Sequence, residues 1–85
     1  PIIGEVVKDS PAQKAGLMKN DTILAINAKE ISTWKEMAEV ISASNGSLNI
    51  KIQRSGYIEF KTLTPYIRTS TNMFNEVIQK KMIGI

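Results

Sequence analysis

The stretch from Ser10 to Asn27, SPAQKAGLMKNDTILAIN, constrains the fold of this chain more than any other part of its sequence. Ser10 can accept a hydrogen bond from an N–H of a first helical turn, and Pro11 has no N–H to leave unpaired there. Gly16 offers the left-handed conformation that ends many helices. We therefore expect a short helix between Ser10 and Gly16, and no catalytic chemistry within it.

Strands are predicted on both sides of this helix. Thr22–Ile26 is apolar and partly β-branched, which is typical of a buried strand. Lys29–Ile31 is expected to form a short strand after it. At the start of the chain, Ile2–Val7 is predicted to be the first strand, with Gly4 marking a close backbone approach.

A second helix is predicted from Thr33 to about Ala43. Thr33 and Glu36 have the capping-box spacing, and Ser44–Gly46 favours a stop. The apolar residues recur at helical spacing and form one face: Trp34, Met37, Ala38, Val40 and Ile41.

Alternating polarity predicts a β-hairpin over Leu48–Leu63. Ser55-Gly56 supplies its two-residue loop, and Pro65 ends it. The next segment leaves two interpretations open. Met73–Gln79 forms one or two helical turns capped by Asn72, or it is an ordered loop pinned by Phe74 and Ile78.

In the helical interpretation, three side chains are expected to face inward: Met73, Val77 and Phe74. The polar residues Thr69–Asn72 are expected to form a loop before this segment. Met82–Ile85 is predicted to be a final strand.

The composition excludes several classes of function. The 85 residues suit one domain and include neither Cys nor His. Disulfides and nucleophilic Ser-His or Cys-His pairs are therefore impossible, and a zinc site would need carboxylates alone, which suit zinc poorly. The net charge of +3 is scattered, with only Lys80 and Lys81 adjacent. A nucleic-acid interface would need a clustered basic stripe, so none is expected.

No apolar run approaches the roughly 18 residues of a membrane span. The chain starts at Pro1 and ends at Ile85 with apolar residues, and it has neither an initiator Met nor a signal peptide. We expect a single soluble, monomeric domain over residues 1–85 that is excised from a longer protein.

The chain resembles the bacterial PDZ family, whose pattern runs "SPA, AGL, GD-x-I, ING". The matching residues are Ser10–Ala12, Ala15–Leu17, Asp21, Ile23 and Asn27. Asn20 and Ala28 stand where the family usually has Gly. The first exchange is mild because Asn tolerates positive φ, whereas Ala is less suited to a hairpin position of that kind.

The resemblance implies an α+β fold, mostly β, with a partly open barrel or sandwich of about five or six strands capped by two helices. The peptide-binding loop of the family is an apolar segment with a Gly, and its best match is Met82–Ile85 at the end of the chain. This placement implies a circularly permuted order, as in the PDZ domains of bacterial site-2-type intramembrane zinc metalloproteases. Thr33-Trp34 and the segment from Asn72 to Phe74 also resemble that family.

The resemblance also implies a peptide groove between this loop and the second helix. Its residues would be Met82, Ile83, Gly84, Ile85, Trp34, Ala38 and Ile41. Other roles stay open: Trp34 and Ile41 can be core residues, and Met82–Ile85 can be only a closing strand.

The function implied is a regulatory module that gates substrate access or binds C-terminal or extended segments of substrate proteins. Zinc and the catalytic residues would belong to a membrane-embedded parent, and the domain would lie on its periplasmic or extracytoplasmic side. Two alternatives remain. One is a substrate-recognition PDZ domain of a soluble periplasmic serine protease of the HtrA or C-terminal-processing type. The other is a scaffolding PDZ domain without a protease.

Overall fold

The computed structural model describes all residues from 1 to 85. Its elements are α1 (Pro11–Ala15), β1 (Thr22–Ile26), β2 (Lys29–Glu30), α2 (Trp34–Ala43), β3 (Leu48–Arg54), β4 (Tyr57–Leu63), β5 (Tyr66–Thr71) and β6 (Val77–Met82). The first four strands form an antiparallel sheet in the order β2-β1-β3-β4, and β5 pairs only with β6. The predicted α+β class, mostly β with open sheets and two helices, is confirmed.

One apolar core joins the sheet, the helices and the end of the chain. Strand β3 contributes Leu48, Ile50 and Ile52, which are fully buried. These residues alternate with polar ones, as expected for a strand with one buried face. Met37 and Ile83 belong to the same cluster. The core therefore fixes α2 and the C-terminal segment relative to the sheet.

The predicted helix signals are confirmed. Ser10 Oγ accepts the N–H of Gln13 at 3.2 Å, and Gly16 ends α1 with a φ of 90°. In α2, Thr33 Oγ1 accepts the N–H of Glu36 at 3.1 Å. The Thr33 hydroxyl also donates to the Glu36 carboxylate at 3.3 Å. Local capping thus sets where both helices begin.

The predicted strand over Ile2–Val7 is wrong. Only Ile2 forms a β-bridge, opposite Thr22. Further along, the N–H of Val7 donates to the carbonyl oxygen of Gly84 at 2.8 Å rather than to a strand. This segment leaves the sheet to support the C-terminal loop.

Both interpretations of the segment after Pro65 are wrong. Residues 66–82 form the β5–β6 hairpin, in which Tyr66 lies opposite Met82 and Thr71 opposite Val77. Met73 and Phe74 face solvent rather than the core. The predicted final strand over Met82–Ile85 is also wrong beyond Met82, because β6 ends there and Gly84 has a φ of 96°.

The turn between β1 and β2 contains a strained alanine. Asn27 and Ala28 have φ values of 50° and 67°, the positive values that a two-residue type I′ turn requires. Asn27 suits this conformation and also accepts the N–H of Asn49 at its Oδ1 at 2.9 Å. Ala28 has a Cβ that the left-handed region disfavours.

We predict that Ala28→Gly stabilises the domain by about 0.5 kcal/mol or more, because relief of about 1–2 kcal/mol of left-handed strain exceeds the roughly 0.5–1 kcal/mol entropic cost of glycine. Urea unfolding measures the change. Ala43→Gly at the end of α2 is the control, and it should destabilise the domain. A loss of stability in Ala28→Gly equal to that in Ala43→Gly would contradict backbone strain at Ala28.

A buried ion pair joins α1 to the sheet. The Asp21 side chain is 1% exposed, and Arg54 contacts it with Nε on Oδ1 at 2.8 Å and Nη2 on Oδ2 at 2.7 Å. Arg54 Nη2 also donates to the carbonyl oxygen of Gly16 at 2.8 Å. The N–H of Met18 donates to Asp21 Oδ2 at 2.8 Å. The hydrogen bonds from Arg54 lower the pKa of the Asp21 carboxyl against the opposing effect of burial.

This pair predicts acid sensitivity. Because the pKa of Asp21 is lower in the folded than in the unfolded state, its stabilisation is complete above about pH 4 and is lost as the pH falls through the folded-state pKa. Asp21→Asn should flatten that part of the pH profile and destabilise the neutral-pH domain by about 3 kcal/mol.

Urea unfolding from strongly acidic to neutral pH measures both effects, because the loss occurs below the unfolded-state pKa of Asp21. Asp9→Asn, at an exposed position, is the matched control and should keep the acid dependence of the wild type. An Asp21→Asn profile parallel to that of the wild type would contradict the role of the ion pair.

Candidate functional site

A groove runs between α2 and the chain from Gln79 to Ile85. It has a volume of about 450 Å³ and twelve lining residues, seven of them hydrophobic. All seven predicted site residues are among the twelve: Trp34, Ala38, Ile41, Met82, Ile83, Gly84 and Ile85. The structure therefore brings two distant parts of the sequence together around one groove.

A second, more open depression of about 710 Å³ lies between residues 4–6 and the stretch 13–19. Only three of its eight lining residues are hydrophobic. An apolar recess with a few convergent polar groups is the usual form of a binding site, which favours the groove beside α2.

The helical wall presents residues at three depths. Trp34 is 47% exposed at the start of α2, so it is a rim residue rather than a core residue. Ala38 is one turn further and also exposed, and its small side chain leaves space above it. Ile41 is buried, and it both packs in the core and lines the groove.

The opposite wall ends in a loop held by α1 and by Val7, which precedes that helix. The carbonyl oxygen of Ile83 accepts the N–H of Ala12 at 2.9 Å, and that of Gly84 accepts the N–H of Val7 at 2.8 Å. In a planar trans peptide the N–H points opposite to the carbonyl. The N–H groups of Gly84 and Ile85 therefore point away from these partners.

These N–H groups have no partner in the chain. The N–H groups of Ile83, Gly84 and Ile85 donate to no backbone or side-chain acceptor. Successive free N–H groups form a concavity that suits an anion. The groove lining also includes Lys80 and Lys81 and no acidic residue. A carboxylate is the ligand group that this end of the groove fits best.

Gly84 is required in this loop for two reasons. Its φ of 96° belongs to the left-handed region, and a methyl group on its Cα would overlap the Cβ and Oγ of Ser10. Ser10 is itself the N-cap of α1. The loop is therefore packed directly against the helix start.

Sequence reasoning missed several lining residues. Met37 is not among the predicted groove residues, yet it lines the groove while being buried. Lys81 Nζ donates to the carbonyl oxygens of Ser42, at 3.3 Å, and of Ser44. A lysine at the end of a helix also interacts favourably with its dipole. Lys81 thus fixes the distance between the two walls, which no local sequence signal indicates.

No group of three or more His, Cys, Asp or Glu side chains is placed to hold a metal ion. Neither helix has the length and apolar character needed to cross a bilayer.

A family profile described as "PDZ domain" matches residues 2–54. The chain therefore belongs to the PDZ domain family. Its relatives include a protein of Helicobacter pylori strain J99 named "Putative zinc metalloprotease", 41% identical over 88 residues that cover 100% of this chain and 25% of the relative.

A Campylobacter jejuni protein with the same form of name is 41% identical over 86 residues, covering 100% of this chain and 23% of the relative. "Zinc metalloprotease RasP" of Geobacillus kaustophilus is 37% identical over 70 residues, covering 81% of this chain and 17% of the relative. The chain thus spans a quarter or less of the length of these three relatives.

We predict that Gly84→Ala destabilises the domain by about 1–2 kcal/mol or more, since it adds left-handed strain and a clash with Ser10. Gly4→Ala is the matched control and should be close to neutral, because no atom lies within 4 Å of the added Cβ.

Combining Gly84→Ala with Ser10→Gly removes the clash and should restore part of the loss, because Gly is a tolerable N-cap. Urea unfolding of the wild type and these three variants measures these differences. A Gly84→Ala variant as stable as Gly4→Ala would contradict the packing of the loop.

Proposed function

We propose that this chain is a peptide-binding regulatory PDZ module of a membrane-embedded zinc metalloprotease. It would bind C-terminal or extended segments of substrate proteins and gate their access to a catalytic site elsewhere in the parent, from the periplasmic or extracytoplasmic side. The free N–H groups at the end of an apolar groove are the observation that supports this most. The names of the relatives support the metalloprotease parent.

The proposed binding mode is strand addition. Strand β6 pairs with β5 on one side only, so its other edge is available to an extended peptide beside α2. The terminal carboxylate would accept the N–H groups of Ile83, Gly84 and Ile85. The last side chain would occupy the space above Ala38, with Ile41 below it.

The size and charge of the groove determine which peptides it would select. The apolar walls favour a peptide that ends in an aliphatic residue, and the pocket above Ala38 is open because that residue has only a methyl group. The lysines without acidic neighbours favour a negatively charged terminus over an amide. Trp34 at the rim would cover the bound side chain.

Zinc would be held by the parent outside this chain. Zinc prefers Cys and His ligands, and the chain contains neither, so its residues do not fit a zinc site. The role of the domain would be to bind and position substrate, and no step of hydrolysis involves its residues.

The sequence of the parent distinguishes this proposal from its alternatives. A His-Glu-x-x-His motif within a hydrophobic span next to the domain supports the metalloprotease. A serine-protease segment would instead indicate a PDZ domain of the HtrA or C-terminal-processing type. A parent with neither would indicate a scaffold.

Binding can be measured through Trp34, the only tryptophan. Short peptides with free aliphatic C-termini should change its fluorescence on titration. Ala38→Leu should weaken the binding about tenfold or more by filling the pocket.

Ala43→Leu is the matched control, because Ala43 is exposed on the same helix but outside the groove. It should leave the affinity unchanged. Equal affinities for wild type and Ala38→Leu would contradict the proposed pocket.

A further inference from the structure

The β5–β6 hairpin presents an apolar end to solvent. Met73 and Phe74 in its turn are 89% and 75% exposed, and Val77 at the start of β6 is 68% exposed. We call these three residues the hairpin tip. Single exposed apolar residues are common on proteins, but three at one end of a hairpin form a patch that points to a binding surface.

The hairpin stands away from the core. Every residue of β5 is exposed. Outside the hairpin itself, α2 is the element that packs most against β6. The apolar tip therefore has no counterpart within the domain.

The turn that carries the tip is well ordered. Asn72 Oδ1 accepts the N–H groups of Phe74 at 2.9 Å and Glu76 at 3.1 Å. The N–H of Asn72 donates to the carbonyl oxygen of Glu76 at 3.0 Å, and that of Asn75 to Asn72 at 3.1 Å. A turn fixed in this way keeps Met73 and Phe74 exposed, so little ordering is needed when they bind.

Two cations lie behind the tip. Arg68 is directly opposite Lys80 in the β5–β6 register, and neither takes part in an ion pair. Like charges directly opposite each other destabilise a sheet. Glu76 is the only acidic residue of residues 66–82. This pair therefore complements an anionic surface better than it serves the fold.

The spacing of tip and cations matches a lipid interface. Arg68 and Lys80 lie three residues behind the pair Thr71–Val77, which is about 10 Å at a strand rise of roughly 3.3 Å per residue. Interfacial anchors insert their apolar residues about 5–10 Å into the boundary between headgroups and acyl chains. With the tip inserted, both cations would lie at the level of the phosphates.

We propose that the hairpin tip, together with Arg68 and Lys80, binds the surface of a bilayer that contains anionic lipids. The hairpin tip itself lies outside the peptide groove, and Lys80 is the one residue that belongs to both sites. Since Gln79–Met82 of β6 line the groove, binding through the tip would hold that groove at a fixed, short height above the lipid surface.

The test is sedimentation of the domain with vesicles of phosphatidylcholine mixed with phosphatidylglycerol, and with vesicles of phosphatidylcholine alone, at low salt. We expect binding to the mixed vesicles that weakens in high salt. Arg68→Gln combined with Lys80→Gln should weaken it about 30-fold, at about fivefold per cation. Met73→Ser combined with Phe74→Ser should weaken it about tenfold or more.

Matched controls keep the numbers of apolar and charged changes constant. Tyr57→Ser with Phe60→Ser alters two exposed aromatic residues on β4, and Lys8→Gln with Lys29→Gln removes two exposed lysines. Both controls should bind the mixed vesicles less than threefold more weakly than the wild type. This loss is smaller than the roughly fivefold loss of affinity expected from the removal of a single cation at the site. Circular dichroism verifies the fold of each variant.

Several results would overturn the proposal. They are no binding of wild type to mixed vesicles, equal binding to phosphatidylcholine alone, or equal losses in tip and control variants. Self-association that depends on the tip, without vesicle binding, would also overturn it and indicate a second copy as the occupant. The variant with Met73→Ser and Phe74→Ser should keep the peptide affinity of the wild type, because neither residue lines the groove. A peptide titration of this variant therefore distinguishes a loss of lipid binding from damage to the groove.

Discussion

The bidentate ion pair between Asp21 and Arg54 is the interaction on which the rest of the structure depends. It joins the start of β1 to the end of β3, and through Gly16 it also holds the end of α1. Buried pairs of this kind stabilise little compared with an apolar substitute, but removing one partner leaves a costly buried charge. The two hydrogen bonds of a bidentate pair set the relative position of the elements that carry its two side chains.

The position of α1 determines the geometry of the groove. The start of α1 supplies the N–H of Ala12 to Ile83, and Ser10 packs against Gly84. The carbonyl oxygens of Ile83 and Gly84 are turned toward Ala12 and Val7, so the N–H groups of Gly84 and Ile85 point away from these partners. Lys81 completes the arrangement by holding β6 to the end of α2. A change at Arg54 is therefore expected to reach the groove through α1, although Arg54 does not line it.

Local chemistry explains which predictions succeeded. The caps at Ser10 and Thr33 and the Ser55-Gly56 turn depend on neighbours a few residues away, and all three are confirmed. The β5 strand was missed because all of it is exposed, so no alternation of burial marks it. Asn72 was predicted to cap a helix, and it does accept nearby N–H groups, but within a hairpin turn.

Long-range pairing explains what the sequence could not predict. Arg54 lies 33 residues from Asp21, and Lys81 lies 37 residues from Ser44. Nothing in either local pattern indicates the partner. The groove residues were predicted from family resemblance, whereas the direction of the loop N–H groups follows only from the bonds of Ile83 and Gly84 with Ala12 and Val7.

The central claim is that the N–H groups of Ile83, Gly84 and Ile85 receive a peptide carboxylate. Amide NMR of the isotope-labelled domain tests it most directly, by titration with one aliphatic-ended peptide in its free-acid and amidated forms. The account predicts that the free acid shifts these three amide signals and those of Trp34–Ile41, and that amidation abolishes the shifts at Ile83–Ile85. Shifts that are the same for both forms, or that leave these three amides unchanged, would contradict it.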